Sequence, residues 1–184
     1  MLIQRCLASE NIELRETVQD RDQAIAALAR KLADFLKCDR SAVEQAVLTR
    51  EKARTTAFAN AAAIPHCRLP GLRDFGMALM ILRQPVVWDD EGHAVDTIAM
   101  ITGPSHNVSA HLRILANSSQ LLDSPSLRGK LRLAPDPQAA HDLICAAEEA
   151  IERRRAEHGM LREFHGDHKN GGDYLHQVAE RFNW

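Results

Sequence analysis

The 184-residue chain has no surplus of positive charge: 23 Lys and Arg stand against 25 Asp and Glu, a formal net charge of -2 with histidine neutral. Binding a phosphate backbone draws on a basic excess, so no nucleic-acid partner is expected. There is no apolar run of the roughly 20 residues that a bilayer demands, so no direct membrane insertion is expected. The start, Met1-Leu2-Ile3-Gln4-Arg5-Cys6, lacks the apolar core of a secretion signal. The cysteines, Cys6, Cys38, Cys67 and Cys145, are scattered and form no CxxC pair. That argues against a disulfide framework and makes the cytoplasm the natural compartment. Internal repeats and low-complexity stretches are also missing. A chain of this length is expected to form one domain with a sizeable core.

What is present reads as alternating helices and strands. Asn11-Ile12-Glu13-Leu14 suits a short first strand. Asp20 and Gln23 stand at capping-box spacing, opening a helix with Ile25, Leu28, Leu32, Phe35 and Leu36 on its apolar stripe. Ser41-Ala42-Val43-Glu44 reads as a second capping box, opening a helix to about Ala53 with Val43, Ala46 and Val47 inward. Thr55 to His66 shows no helical stripe and predicts short strands or a hairpin ending at His66. Phe75–Leu82 and Val95–Thr102 are nearly continuous apolar runs of strand length. Such runs predict strands covered on both faces, hence helices on either side of a sheet. A helix is expected over Asn107–Leu122, with Val108, Leu112, Leu115 and Leu122 on one face. Ser124-Pro125 and Asp136-Pro137 each put a capping side chain before a proline at the first helical position. The second opens a helix carrying Leu143, Ile144, Ala147 and Ile151. The order of elements predicts a single α/β layered domain.

Composition shifts near residue 152, dividing the chain into residues 1–150 and an extension, 151–184. Arg153-Arg154-Arg155, flanked by Glu152 and Glu157, reads as an exposed helix face. Beyond Gly166 and Gly171-Gly172, Tyr174, Leu175, Val178, Phe182 and Trp184 have helical spacing. That apolar face is expected to pack on its own domain, with another subunit, as in a homodimer, as the alternative.

Four polar residues stand out as candidates for chemistry: Arg50, Asn60, His66 and His111. His111 falls in the first turns of its helix, where free backbone amides and the helix dipole favour an anion. From spacing alone a shared phosphate site competes with a core-edge histidine and a solvated arginine. A metal reading draws on His66, Cys67, His106 and His111, but their spacing matches no zinc pattern, and adjacent strand residues point to opposite faces. In the tail, His158, His165, His168 and His176 read as solvated positions, with weak metal binding at His165-Gly166-Asp167-His168 as the alternative.

The segment Arg50-Glu51-Lys52, followed by Thr55-Thr56-Ala57-Phe58-Ala59-Asn60-Ala61-Ala62-Ala63-Ile64-Pro65-His66, resembles the signature of the IIA domains of the fructose/mannitol class. These belong to the bacterial phosphoenolpyruvate-dependent phosphotransferase system, and the nitrogen-regulatory IIA proteins share the signature. Asn11-Ile12, the helix from Asp20, and His111-Leu112 follow in the same order. The resemblance covers roughly residues 1–150. It implies a mixed β-sheet flanked by helices on both faces, followed here by a C-terminal helical extension. It implies phosphorylation of His66, with His111 as the second active-site histidine. Arg50 matches an arginine that binds the phosphoryl group, and Asn60 lies in the same signature as a further phosphoryl ligand. No metal or organic cofactor is implied.

The implied donor is the histidine phosphocarrier protein, and the recipient is a IIB component or a regulatory target protein. The chain carries no IIB or membrane segment, which favours a free-standing, nitrogen-type regulator over a sugar-transport component; a degenerate binding module is the third reading. The family commonly has glycine where this chain has Ala57, Ala59 and Ala61, and a small residue where it has Cys67. Alanine would be strained wherever the backbone needs a positive φ.

Overall fold

The computed structural model describes residues 2–58 and 60–165, the side chains of 158–165 excepted. The tail's apolar face (Tyr174 to Trp184), with His168 and His176, therefore lies outside the described residues, as do the side chains of His158 and His165. In chain order the elements are α1 (Ile3–Cys6), β1 (Leu7–Glu16), α2 (Arg21–Leu36), α3 (Arg40–Ala53), β2 (Ala57–Phe58), β3 (Ala62–Ala63) and β4 (His66–Leu69). There follow β5 (Gly76–Val87), β6 (Ala94–Pro104), α4 (Val108–Leu122), α5 (Pro125–Leu133) and α6 (Pro137–His165).

The strands form one mixed sheet in the order β1-β5-β6-β3-β2, with β4 also paired to β6. β1 is parallel to β5, β5 antiparallel to β6, and β3 and β4 run parallel to β6 in succession along its other edge. Alternate residues of β5 feed two cores. Met77, Leu79 and Ile81 pack with Ile114, Leu115, Leu131 and Ile144 from α4, α5 and α6. Ala78, Met80 and Leu82 pack with Ile25, Leu28, Leu32, Val43 and Val47 from α2 and α3. The unbroken apolar runs are therefore strands buried on both faces, as an α/β layer requires.

Local signals place most helix ends. Asp20 accepts from the Gln23 backbone N–H, while the Gln23 side chain returns to the N–H of Gln19 instead of Asp20. Ser124 and Asp136 cap as expected, accepting from Leu127 and Ala139. α3, however, is capped by Asp39, which accepts from Ser41 and Ala42. Asp39 reaches two orphan amides at once and takes the role assigned to Ser41. Two stripe residues are exposed: Phe35 at 40% and Val108 at 39%. Both lie near helix ends, where the neighbouring layer no longer covers the face. His66 does not end a hairpin; the hairpin is β2–β3, and His66 opens β4.

A buried carboxylate ties distant segments together. Glu148 on α6 accepts backbone N–H bonds from Leu2, Ile3 and Gln4, so it caps the short α1 in trans. α6 continues unbroken through residues 150 and 151, where composition shifts. Past that point, Arg155 donates to Asn117 and Gln120 of α4.

Ala61 has φ +65°. Its carbonyl accepts from both Asp96 and Thr97, which fixes the turn that feeds β3 onto β6. A Cβ in this left-handed region costs about 1–2 kcal/mol, of which glycine's extra unfolded-state freedom returns roughly half. Ala61→Gly is therefore expected to stabilise the protein by on the order of 1 kcal/mol. Denaturant melts of the two proteins check this; an unchanged or lower midpoint would show that the turn carries no strain.

Candidate functional site

β4 starts directly after the buried segment Ile64-Pro65, and its register against β6 pairs His66 with Ile101. The Pro65 carbonyl accepts from Ile101 N–H, so the backbone before His66 is locked to the central strand. The Ile64 carbonyl instead lies 2.8 Å from His66 Nδ1. A carbonyl only accepts, so Nδ1 carries the proton and the lone pair belongs to Nε2. The sheet thus fixes both the tautomer and the direction of a nucleophilic nitrogen.

His111 sits one turn into α4, where the Asn107 side chain caps the Ala110 N–H. Its ring centroid is 5.6 Å from that of His66, with 55° between the planes, and 5.9 Å from that of Phe75. Both histidines are enclosed: His66 is 2% and His111 0% exposed. Burial pushes His66 down to about 4; the Ile64 bond opposes this, and the Arg50 and Arg68 charges add to it. Burial, then His66 and Arg68, takes His111 down to about 3. Both rings are therefore neutral near pH 7, the state in which an imidazole nitrogen attacks phosphorus.

The remaining candidates divide. Arg50, in the last turn of α3, donates to the Arg54 carbonyl at 2.9 Å, and its charge reaches His66. Asn60 is not brought to the histidines. Its amide donates to Asp123 at 2.9 Å. Asp123 caps the opposite end of α4 from His111, a separation of about 18 Å at 1.5 Å per residue. His106 is exposed, and Cys67 turns to the other core, where its thiol meets Thr102. Among the described residues no group of three or more His, Cys, Asp or Glu side chains is placed to hold a metal ion.

Two residues escaped the sequence reading. Arg68 follows His66 by two along β4, on the same face, and its charge acts on both rings. Alternation points to it once His66 is known to begin a strand and not to end one. Glu51 is buried and accepts from Thr56 N–H, the Thr56 hydroxyl and Trp88 Nε1 at 2.7, 2.8 and 2.7 Å. It thereby pins the end of α3 to the start of the signature hairpin. The Arg50-Glu51 pair is one charge directed at the site and one bracing it.

A family profile described as phosphoenolpyruvate-dependent sugar phosphotransferase system, EIIA 2, matches residues 5–146. A nitrogen regulatory protein of Bradyrhizobium diazoefficiens is 32% identical over 145 residues, 78% of this chain and 95% of that protein. Among solved structures, the nitrogen regulatory protein IIA-Ntr of Neisseria meningitidis superposes with a TM-score of 0.73 at 22% identity, over 78% of this chain and 99% of that one. The Escherichia coli mannitol enzyme IIA, solved in complex with phosphorylated enzyme IIB, gives 0.64 at 19% identity, over 76% and 96%. At these identities the two structures speak for the fold.

Depressed histidine pKa values make folding pH-dependent. Below about 6.5 the unfolded chain takes up protons that the folded rings, at about 4 and about 3, refuse. Stability is thus lost as pH falls from about 6.5 towards 4. The two rings together account for roughly 2 kcal/mol between pH 7 and 5.5, above the range where carboxylates titrate. Urea midpoints across that interval test this; a midpoint that holds level would mean the rings are not buried neutral.

Proposed function

The chain belongs to the EIIA 2 family of the phosphoenolpyruvate-dependent sugar phosphotransferase system, and from that premise we propose that it is a phosphohistidine carrier of the nitrogen-regulatory type. His66 accepts a phosphoryl group from the histidine phosphocarrier protein, and its phosphorylation state governs contact with a regulatory target. The carrying observation is the His66 imidazole, held by the Ile64 carbonyl as the Nδ1–H tautomer beside a second neutral histidine.

In the transfer step the Nε2–phosphorus bond forms as the donor's nitrogen–phosphorus bond breaks, and the proton stays on Nδ1, hydrogen-bonded to the Ile64 carbonyl. The transition state is loose and its charge lies on the peripheral oxygens, so positioning and neutralisation supply most of the catalysis. Arg68, along the same strand face, and Arg50, at the end of α3, provide positive charge. His111 donates a hydrogen bond to a phosphoryl oxygen in one tautomer. Asn60, bonded to Asp123 at the far end of α4, has no part in this. Because His66 is 2% exposed, the donor reaches Nε2 only when the side chains over the rings part.

Residues 1–150 constitute the carrier domain in this reading and 151–184 an extension of unassigned role; the location is cytoplasmic. The regulatory type is favoured over sugar transport by the nitrogen regulatory relative at 32% identity. Transport remains the second reading, supported by the likeness in fold to the mannitol enzyme IIA. In that case the phosphoryl group passes on to a IIB cysteine.

Incubation with phosphoenolpyruvate, enzyme I and the histidine phosphocarrier, followed by intact mass, is expected to show one acid-labile phosphoryl group. His66→Ala abolishes it, and Arg68→Ala slows it by about tenfold or more, as expected for a lost charge-assisted contact. A wild-type mass that does not change would overturn the carrier reading. Transfer onward to a IIB cysteine would replace the regulatory type with the transport type.

A further inference from the structure

The register of the sheet builds two parallel rows across its central strands. Met77 of β5, Ile101 of β6 and His66 of β4 form one row. Two residues further along β6, Gly103 pairs with Arg68 of β4. Gly76 pairs with Thr102, so the same antiparallel register places Phe75 opposite Gly103 on the other side. The second row is therefore Phe75–Gly103–Arg68. Positions two apart share a face, so it lies beside the first on the face that α4 covers.

The middle of this second row is empty of side chain, and that vacancy is filled. A Cβ built on Gly103 would fall against Cδ1 and Cε1 of Phe75, far inside any real carbon–carbon contact. The phenyl ring therefore lies across the strand, over Gly103, and not upright at the sheet edge. From there it meets the His111 ring with 5.9 Å between centroids, and the His66 ring lies 5.6 Å from that of His111. His111 is held between an aromatic fence and the nucleophile. His66 and Arg68, both from β4, act on it electrostatically.

We propose that Phe75 is a positioning residue for His111, and that the missing side chain at Gly103 is what allows it to reach. This rests on the carrier reading for its link to phosphorylation. Phe75 touches no reacting atom. It sets the side-chain rotamer of His111, presses it towards His66, and keeps water from its outer flank. Displacing a catalytic group by about 1 Å is enough to cost orders of magnitude in rate.

The test pairs phosphorylation rates with an NMR titration of the His111 ring in full-length protein. In the wild type the His111 signals are expected not to titrate between pH 7.5 and 5. Phe75→Leu and Phe75→Met, which remove the ring but keep apolar bulk, are expected to slow phosphorylation about tenfold or more and to bring a His111 titration into that window. Phe75→Tyr keeps the ring and should keep both wild-type properties. Gly103→Ala should behave like Phe75→Leu, since the added methyl expels the ring. The double variant Gly103→Ala/Phe75→Leu should regain the melting temperature lost in Gly103→Ala, but not the rate. Leucine and methionine variants with wild-type rate and no His111 titration would overturn the proposal. A wild type that accepts no phosphate would instead defeat the carrier reading. The titration arm would still decide whether Phe75 positions His111.

Discussion

Everything at the site hangs on the hydrogen bonding of one central strand. β6 pairs with β5 along one edge and with β3 and then β4 along the other. The row that contains His66 and the row that contains Phe75 and Arg68 are both consequences of that pairing. The strand is buried on both faces, so its register is strongly specified: a slip of one residue would exchange every side chain between the two cores. The address of His66 is thus fixed by backbone pairing far more than by its own contacts. A single further bond, Nδ1–H to the Ile64 carbonyl, then selects which ring nitrogen is offered.

Around that strand, two carboxylates replace what longer elements would supply. β2 and β3 are two residues each, too short to hold their place by ladder bonds alone. Glu51 compensates by collecting three donors from the hairpin and from Trp88. α1 is a single turn, and Glu148 holds it with three backbone amides from an element more than 140 residues away in the chain. Removing one partner from such a buried, charged cluster is far more damaging than losing a surface ion pair, because the remaining polar groups are left without water. Both clusters lie outside the reacting centre, yet the hairpin that delivers His66 and the helix layer that carries His111 depend on them.

The layered architecture was legible because its signals are local. Caps at Asp20, Ser124 and Asp136 and the two uninterrupted apolar runs declare helices and two-sided strands without reference to anything distant. The histidine pair was legible through its resemblance to a family signature. Arg68 was hidden by a boundary: with His66 taken as the end of a strand, alternation had nowhere to continue. Glu51 stood inside the quoted signature, but its partner Trp88 is 37 residues away, and no sequence rule joins them. Asn60 shows the converse error. Its nearness to His66 in the chain meant nothing, because the turn at Ala61 sends it to the far end of α4. The Phe75–Gly103 arrangement depends on a cross-strand register, which a sequence does not display.

The enclosure of His66 bears on time as much as on chemistry. A phosphoryl group on a histidine nitrogen is ordinarily short-lived because water can take it. On a nitrogen this deeply covered, water and small phosphate donors are excluded by the same walls. Its persistence would then follow the frequency with which the covering side chains open, a local unfolding quantity, and not the intrinsic reactivity of the bond. The packing over two rings would act as a clock, and every contact that stiffens it would lengthen the interval for which the chain remembers having been charged.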